Sequence, residues 1–369
     1  MNHQNKTSKN LFLSGSKIIR ASSFAFIAAA LVVSGFFAPQ SAFAAATVYP
    51  ATGGTDISID TTFDGGSGTF TPLEGPVITE SVAGDIAVGT HTITLPTGWK
   101  FDINQNITIS KIIGNIVLGS TSVTPTETSF SFVVNGQSTS ASILSFSNIQ
   151  VVPTDTTAPS TGNMTHLGAG IVSVDGSTNF GTLSTVPGTV AQLVFATQPG
   201  GAEYGSLLNP QPVIKTQDQF GNDSTKDLAS SLDVGLTLTN GTGVLVGDAT
   251  LDIGTGAGNG TVIFTDLTVD EFGAGKQLTV AATGLTSAVS NNFEITKKPL
   301  TATLTANNKE YDGENSATIT GVVLDGVLEG DVVAADFSAA AATFEDENAG
   351  TGKTVNATGI TLTGGDKDN

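Results

Sequence analysis

Past its first forty-odd positions the chain alternates apolar and small polar residues in short runs. Thr90-His91-Thr92-Ile93-Thr94-Leu95 alternates strictly, and so does Ile107-Thr108-Ile109-Ser110. Ser129-Phe130-Ser131-Phe132-Val133-Val134 is a third run, ended by the turn pair Asn135-Gly136. Successive side chains of a strand point to opposite faces, so a period of two predicts strands with one buried and one wet face. Ser142 to Phe146 and Ile149 to Val152 add two more. Strands separated by turn signals every 8–12 residues or so predict a β-sandwich. They define a first block over residues 45–188.

A second block runs over 189–297. Leu193-Val194-Phe195 opens it, and Gln211 to Thr216 gives another strand before the turn Asp218-Gln219-Phe220-Gly221-Asn222. Val234 to Thr239 runs into Asn240-Gly241; Thr261 to Phe264, Lys276 to Ala282 and Asn292 to Ile295 follow. About seven strands in about 105 residues is the count of an immunoglobulin-like domain. Lys297-Lys298-Pro299 is a short junction into a third block, 298–369, whose first strand is Leu300 to Ala306. The last residues, Gly364 to Asn369, read as a turn with no closing strand, so the sequence is expected to be a fragment truncated inside this module. No stretch after residue 44 keeps a helical period. The nearest case, the Ala-rich run 334–342, lies among strand patterns. The fold class predicted is all-β, tandem immunoglobulin-like sandwich modules after an N-terminal signal-peptide helix.

That helix is read from residues 1–44. Lys6, Lys9, Lys17 and Arg20 form a basic segment with no acid, Ala21 to Ala38 is an apolar run, and Ala42-Phe43-Ala44 offers the small-x-small site of a signal peptidase. At about 18 residues the run is at the short end of a bilayer span. Cleavage after Ala44 is therefore expected, with the mature chain secreted or at the cell surface and no stable membrane span in it.

Composition narrows the function. The formal charge is −19, from 33 acids and 14 basic residues. Four of the basic residues fall in the signal segment, so the mature chain is more acidic still. Nucleic acid and anionic membranes require Lys/Arg patches, so this balance argues against both as partners, though acidity also serves solubility in many exported proteins. There is no cysteine. Thiolate catalysis and Cys-based zinc sites are absent, and stability has to come from full-sized cores.

Motifs in the third block carry a resemblance. Lys309-Glu310-Tyr311-Asp312-Gly313, Gly330-Asp331-Val332-Val333, Ala342-Thr343-Phe344, Asn348-Ala349-Gly350-Thr351-Gly352-Lys353-Thr354-Val355 and Gly359-Ile360-Thr361-Leu362 together resemble the YDG repeat of large bacterial surface proteins and adhesins. That family's pattern continues past a final Gly-Asn with a Tyr-containing strand, which agrees with truncation. Leu193 to Pro199 and Thr216 to Asn222 resemble bacterial Ig-like repeats of secreted surface proteins, in which the Asp-x-x-Gly-Asn segment is a strand-connecting turn. The resemblances transfer no binding residues.

Candidate chemistry is sparse. Outside the signal segment the histidines are His91, read as polar on a wet strand face, and His166, read as lying in a loop-like stretch. No Gly-x-Ser-x-Gly elbow flanks a serine, so neither is expected to be catalytic. Acids such as Asp331, Asp336 and Glu345 could pair for glycoside hydrolysis, but aromatic residues for a sugar cleft are few. Calcium needs six to eight oxygens, and Asp218, Asn222 and Asp223 form one candidate cluster; Glu345 to Asn348 and Asp366 with Asp368 form others. None has EF-hand spacing, and solvated turns are the simpler account. Gly254 to Gly260 lacks the Gly-Lys-Ser/Thr ending of a phosphate loop and reads as a loop between strands. The expectation is a non-catalytic surface spacer or adhesin without a cofactor, Ca²⁺ aside, binding an extracellular glycan or protein. The alternative is a glycan-binding module in 45–188, with Trp99 as the stacking residue if it is exposed.

Overall fold

The computed structural model describes residues 45–62 and 68–369; the signal-peptide helix expected over 1–44 lies outside the described residues. Strands run from Thr47–Tyr49 to Thr361–Thr363, and the helical element among the described residues is a single 3-10 turn, Ile59–Thr61. No helix among them is long and apolar enough to cross a membrane. The Ala-rich run resolves into the strands Ala334–Asp336 and Ala341–Phe344, as its surroundings required.

The first module has a six-stranded sheet in the order Ile57–Ser58, Gly181–Val186, Thr161–Gly168, Gly89–Thr94, Ser129–Gly136, Val117–Leu118. A five-stranded and a three-stranded sheet complete it. Alternation sets the register. Phe130 lies opposite Ile93 and Phe132 opposite His91, all four inward, while Ser129 and Ser131 face Thr94 and Thr92 on the outside. Phe101, Phe130, Phe132, Phe146 and Phe180 are each 1 % exposed or less. Phe101 meets Phe130 edge-on with centroids 5.6 Å apart, the arrangement that aligns a positive ring edge with a negative face. Full burial of each such ring contributes about 1.5–3 kcal/mol relative to exposure.

The second module has a sheet of Val190–Thr197, Val213–Asp218 and Thr261–Ile263. A six-stranded sheet is built around Gly273–Ala282, with Asp233–Asn240 on one side and Phe293–Thr296 on the other, and a two-stranded sheet pairs Leu245–Val246 with Thr268–Val269. The strand expected over 211–216 begins two residues later and continues to Asp218. The Asn240-Gly241 turn is present, with Gly241 at φ +93°, where a side chain would be strained. A separate core of Leu193, Ile214, Leu236, Phe264, Leu278 and Ile295 fills it.

The third block pairs Thr301–Ala306 with Ile319–Asp325, Ala334–Asp336 with Thr361–Thr363, and Ala341–Phe344 with its neighbours. It has almost no interior. Ala342 is its buried apolar residue among those described, while Val323 and Val332 are 66 % and 64 % exposed. Leu328 packs instead against the core of the second module.

Candidate functional site at the module junctions

The Asp218 carboxylate closes the Val213–Asp218 strand and has no exposure. Oδ1 accepts the N–H groups of Phe220 (2.9 Å) and Asn222 (3.0 Å), folding the turn back on its own strand. Oδ2 accepts the Gly188 N–H at 2.9 Å and Asn222 Nδ2 at 3.1 Å. An Asx turn is what a short acidic side chain forms with the backbone two residues on, so this part is local sequence logic. The Gly188 bond is not local. It ties the second module to the segment that leaves the first.

Asn222 extends the tie. Its Nδ2 donates to the Thr156 carbonyl at 2.8 Å, and its Oδ1 accepts the Ala158 N–H at 3.0 Å, both in the first module. Ser224 is buried, and its hydroxyl donates to the Gly188 carbonyl. On the opposite side Asp60 accepts the Thr189 N–H at 2.9 Å and pairs with Lys226 at 3.1 Å. Burial works to raise the Asp60 carboxyl, but the Thr189 N–H, the Lys226 ammonium and the Ser58 and Thr189 hydroxyls together hold it below the ordinary carboxylate range. Gly188 passes so close that a Cβ there would lie 2.2 Å from Asp60 Oδ1.

The second junction is smaller. The Tyr204 hydroxyl donates to Asp331 Oδ1 at 3.0 Å, and Lys298 pairs with Glu203 at 3.2 Å. Burial, then the Asp331 hydrogen bond and charge, push the Tyr204 phenol up. Leu328 fills the space above Gly205, where a Cβ would lie 2.1 Å from its Cδ1.

Several of the calcium candidates are engaged by protein donors. Asp218 and Asn222 have their oxygens filled by protein donors, and Asp223 turns away to Lys215 and Gln217, which hold its carboxyl below the usual range. Asp346 is engaged by Lys353, and Asp366 accepts the Val332 N–H. Among the described residues no group of three or more His, Asp or Glu side chains is placed to hold a metal ion. Trp99 is 4 % exposed, packed inward with Phe101 by the period of two, and offers no face to a sugar.

Both histidines differ from expectation. His91 has no exposure and His166 has 5 %, and His166 lies on the Thr161–Gly168 strand rather than in a loop. His91 Nε2 lies 2.8 Å from the Ala87 carbonyl, which can only accept, so that nitrogen carries the proton. His91 Nδ1 then accepts from His166 Nε2 at 3.1 Å. His91 stacks on Phe132 and His166 on Phe180. Burial, and secondarily the neighbouring His91, lower His166 to about 4, and burial lowers His91. Both rings lie buried among the aromatic residues of the first module.

The described chain is thus an all-β protein of sandwich modules tied at their junctions. Residues 296–369 match the YDG domain, in agreement with the motifs of the third block. Two solved structures are similar at low level. One is the adhesin domain of Epf from Streptococcus pyogenes, at 9 % identity over 62 % of this chain and 74 % of that one, with a TM-score of 0.18. The other is a BSP domain of a biofilm associated protein, at 9 % identity over 89 % and 68 %, with a TM-score of 0.22. No curated protein matches.

Proposed function

We propose that this chain is an exported, non-catalytic surface protein whose modules serve as a structural spacer or adhesin that meets an extracellular protein ligand. The observation that carries this is the junction. Asp218 and Asn222 use buried or half-buried polar groups to hold two modules together. Buried hydrogen bonds to a charged group contribute about 1.5–3 kcal/mol each, enough to hold neighbouring modules in one orientation. An enzyme needs a shaped site, whereas a spacer needs fixed geometry between domains. The acidic surface and the YDG match at 296–369 support placement outside the cell.

The test is to express the full chain in a bacterial host and treat intact cells with protease. Fragments of residues 45–369 released from intact cells are expected, together with binding of beads coated with the mature chain to cell-surface or matrix proteins. Retention of the whole chain in the cytoplasm, or turnover of substrate by the purified chain, overturns the reading.

A further inference from the structure

The six-stranded sheet of the first module falls into two halves. One holds Ile57–Ser58, Gly181–Val186 and Thr161–Gly168; the other holds Gly89–Thr94, Ser129–Gly136 and Val117–Leu118. The residues that meet the second module sit at the ends of the first three strands. Asp60 follows Ile57–Ser58, Thr156 and Ala158 lead into Thr161–Gly168, and Gly188 and Thr189 follow Gly181–Val186. The halves meet along four residue pairs, from Thr165 opposite Thr94 to Gly168 opposite His91. Inside that seam four rings stand in a row: Phe180, His166, His91 and Phe132. Their neighbouring centroids are 5.8, 5.3 and 4.9 Å apart. The middle two rings form a buried polar link across the seam, and one proton serves it. The Ala87 carbonyl accepts from His91 Nε2, so His91 Nδ1 accepts from His166 Nε2.

We propose that this histidine pair is an acid-sensitive latch: protonation of the two rings opens the seam and thereby loosens the first junction. A proton on His91 Nδ1 would set two N–H donors against each other across 3.1 Å. A proton on His166 Nδ1 would place a cation beside Phe180 at a site with 5 % exposure, where losing hydration is costly. Opening admits water to both rings. The open form then binds more protons than the closed one and gains ground as pH falls. With His166 near 4 when closed and near 6.5 when free, the gain builds between those values, and the latch is shut above them.

The ions around the pair are engaged elsewhere. The strands that flank it carry no Asp, Glu, Lys or Arg. The loop that supplies Ala87 carries Glu80 and Asp85. Glu80 accepts the N–H groups of Ile86 and Ser142, and Asp85 those of Ser81 and Val82. The five-stranded sheet, whose Phe146 meets Phe132, brings Lys111 and Tyr49, both exposed. In the three-stranded sheet Lys100 pairs with Glu127. Phe101, Phe130 and Phe146 pack on one another away from the seam, so the opening stays local. The latch goes beyond the spacer reading, which is decided by export and ligand binding and not by exchange in the purified chain.

Hydrogen exchange of purified residues 45–369, read by mass spectrometry at pH 7.5 and pH 5 and normalised to the intrinsic rate at each pH, tests the proposal. The lower value lies below the ordinary histidine pKa and above the ordinary carboxylate values. Protection of segments 156–168 and 181–189 is expected to fall at least about tenfold at pH 5. Protection of Ser129–Gly136 and Ile143–Ser147 is expected to hold within about twofold. In His166→Gln the amide still donates to His91 but does not titrate, and most of the fall is expected to vanish. If that variant fails to fold, His166→Phe is read in the same way. In the wild type, no fall at pH 5, or a fall shared equally by all these strands, overturns the proposal. So does a fall that persists undiminished in a folded His166 variant.

Discussion

The Asp218 carboxylate accepts the Gly188 N–H at 2.9 Å, although one residue ends a strand of the second module and the other lies in the segment leaving the first. Removing that carboxylate leaves several N–H donors without a partner. Asp218→Ala is expected to destabilise the second module by about 3 kcal/mol, with Asp218→Asn costing less because one oxygen survives. Urea unfolding followed by the module's own probes measures it.

The same bonds predict indifference to calcium. The candidate ligands Asp218, Asn222 and Asp223 are already satisfied by protein donors. Adding millimolar Ca²⁺ or a chelator is expected to leave the melting temperature of residues 45–369 unchanged within error. An upward shift on adding Ca²⁺ would contradict the geometry.

Gly188→Ala probes the junction without touching either core. Its Cβ would lie 2.2 Å from Asp60 Oδ1, so the Asp60 side chain has to move off Thr189 and Lys226. Each module is expected to keep its stability within about 1 kcal/mol, the size of a surface ion pair. The segment around residue 188 should become the preferred site of limited proteolysis.

The histidine pair gives a pH dependence with a definite sign. His166 is held near pKa 4 when folded, against 6.5 for the ordinary side chain. Between those values the unfolded chain binds more protons, so stability falls as pH drops from about 6.5 to about 4 and is fully present above that window. A shift of this size corresponds to about 3 kcal/mol. Carboxylates held low, such as Asp60 and Asp223, lose their contribution at lower pH still. A melting series of the first module from pH 7.5 to 4 is expected to decline, and His166→Phe to flatten that decline.

The strand pattern carried most of the fold because burial along a strand is a local, two-residue matter. It also contained the answer for His91. The residue shares a face with Ile93, and the threonines at 90, 92 and 94 occupy the other. The register places His91 inside, and His166, expected in a loop-like stretch, lies on the strand Thr161–Gly168, buried on the same face as Met164. Trp99 follows Phe101 inward for the same reason. The junction was legible only in half. The Asp218 turn is local chemistry, but Asn222 meets residues 64 and 66 positions away, and nothing nearby in sequence marks those partners.

Leu328→Asp is expected to raise hydrogen exchange throughout residues 299–369 while leaving the second module protected. The side chain is the third block's main apolar anchor on its neighbour's core.

That dependence sets a mechanical order. A block with one buried alanine for an interior has little to resist force, and its attachment includes a leucine, a tyrosine hydroxyl and an ion pair. Under load, the described part of the third block would part from the second module before either larger core opens, extending the chain at low load. The phenylalanine-filled first module would stay folded, so the weakest segment would act as a sacrificial link that spares the rest.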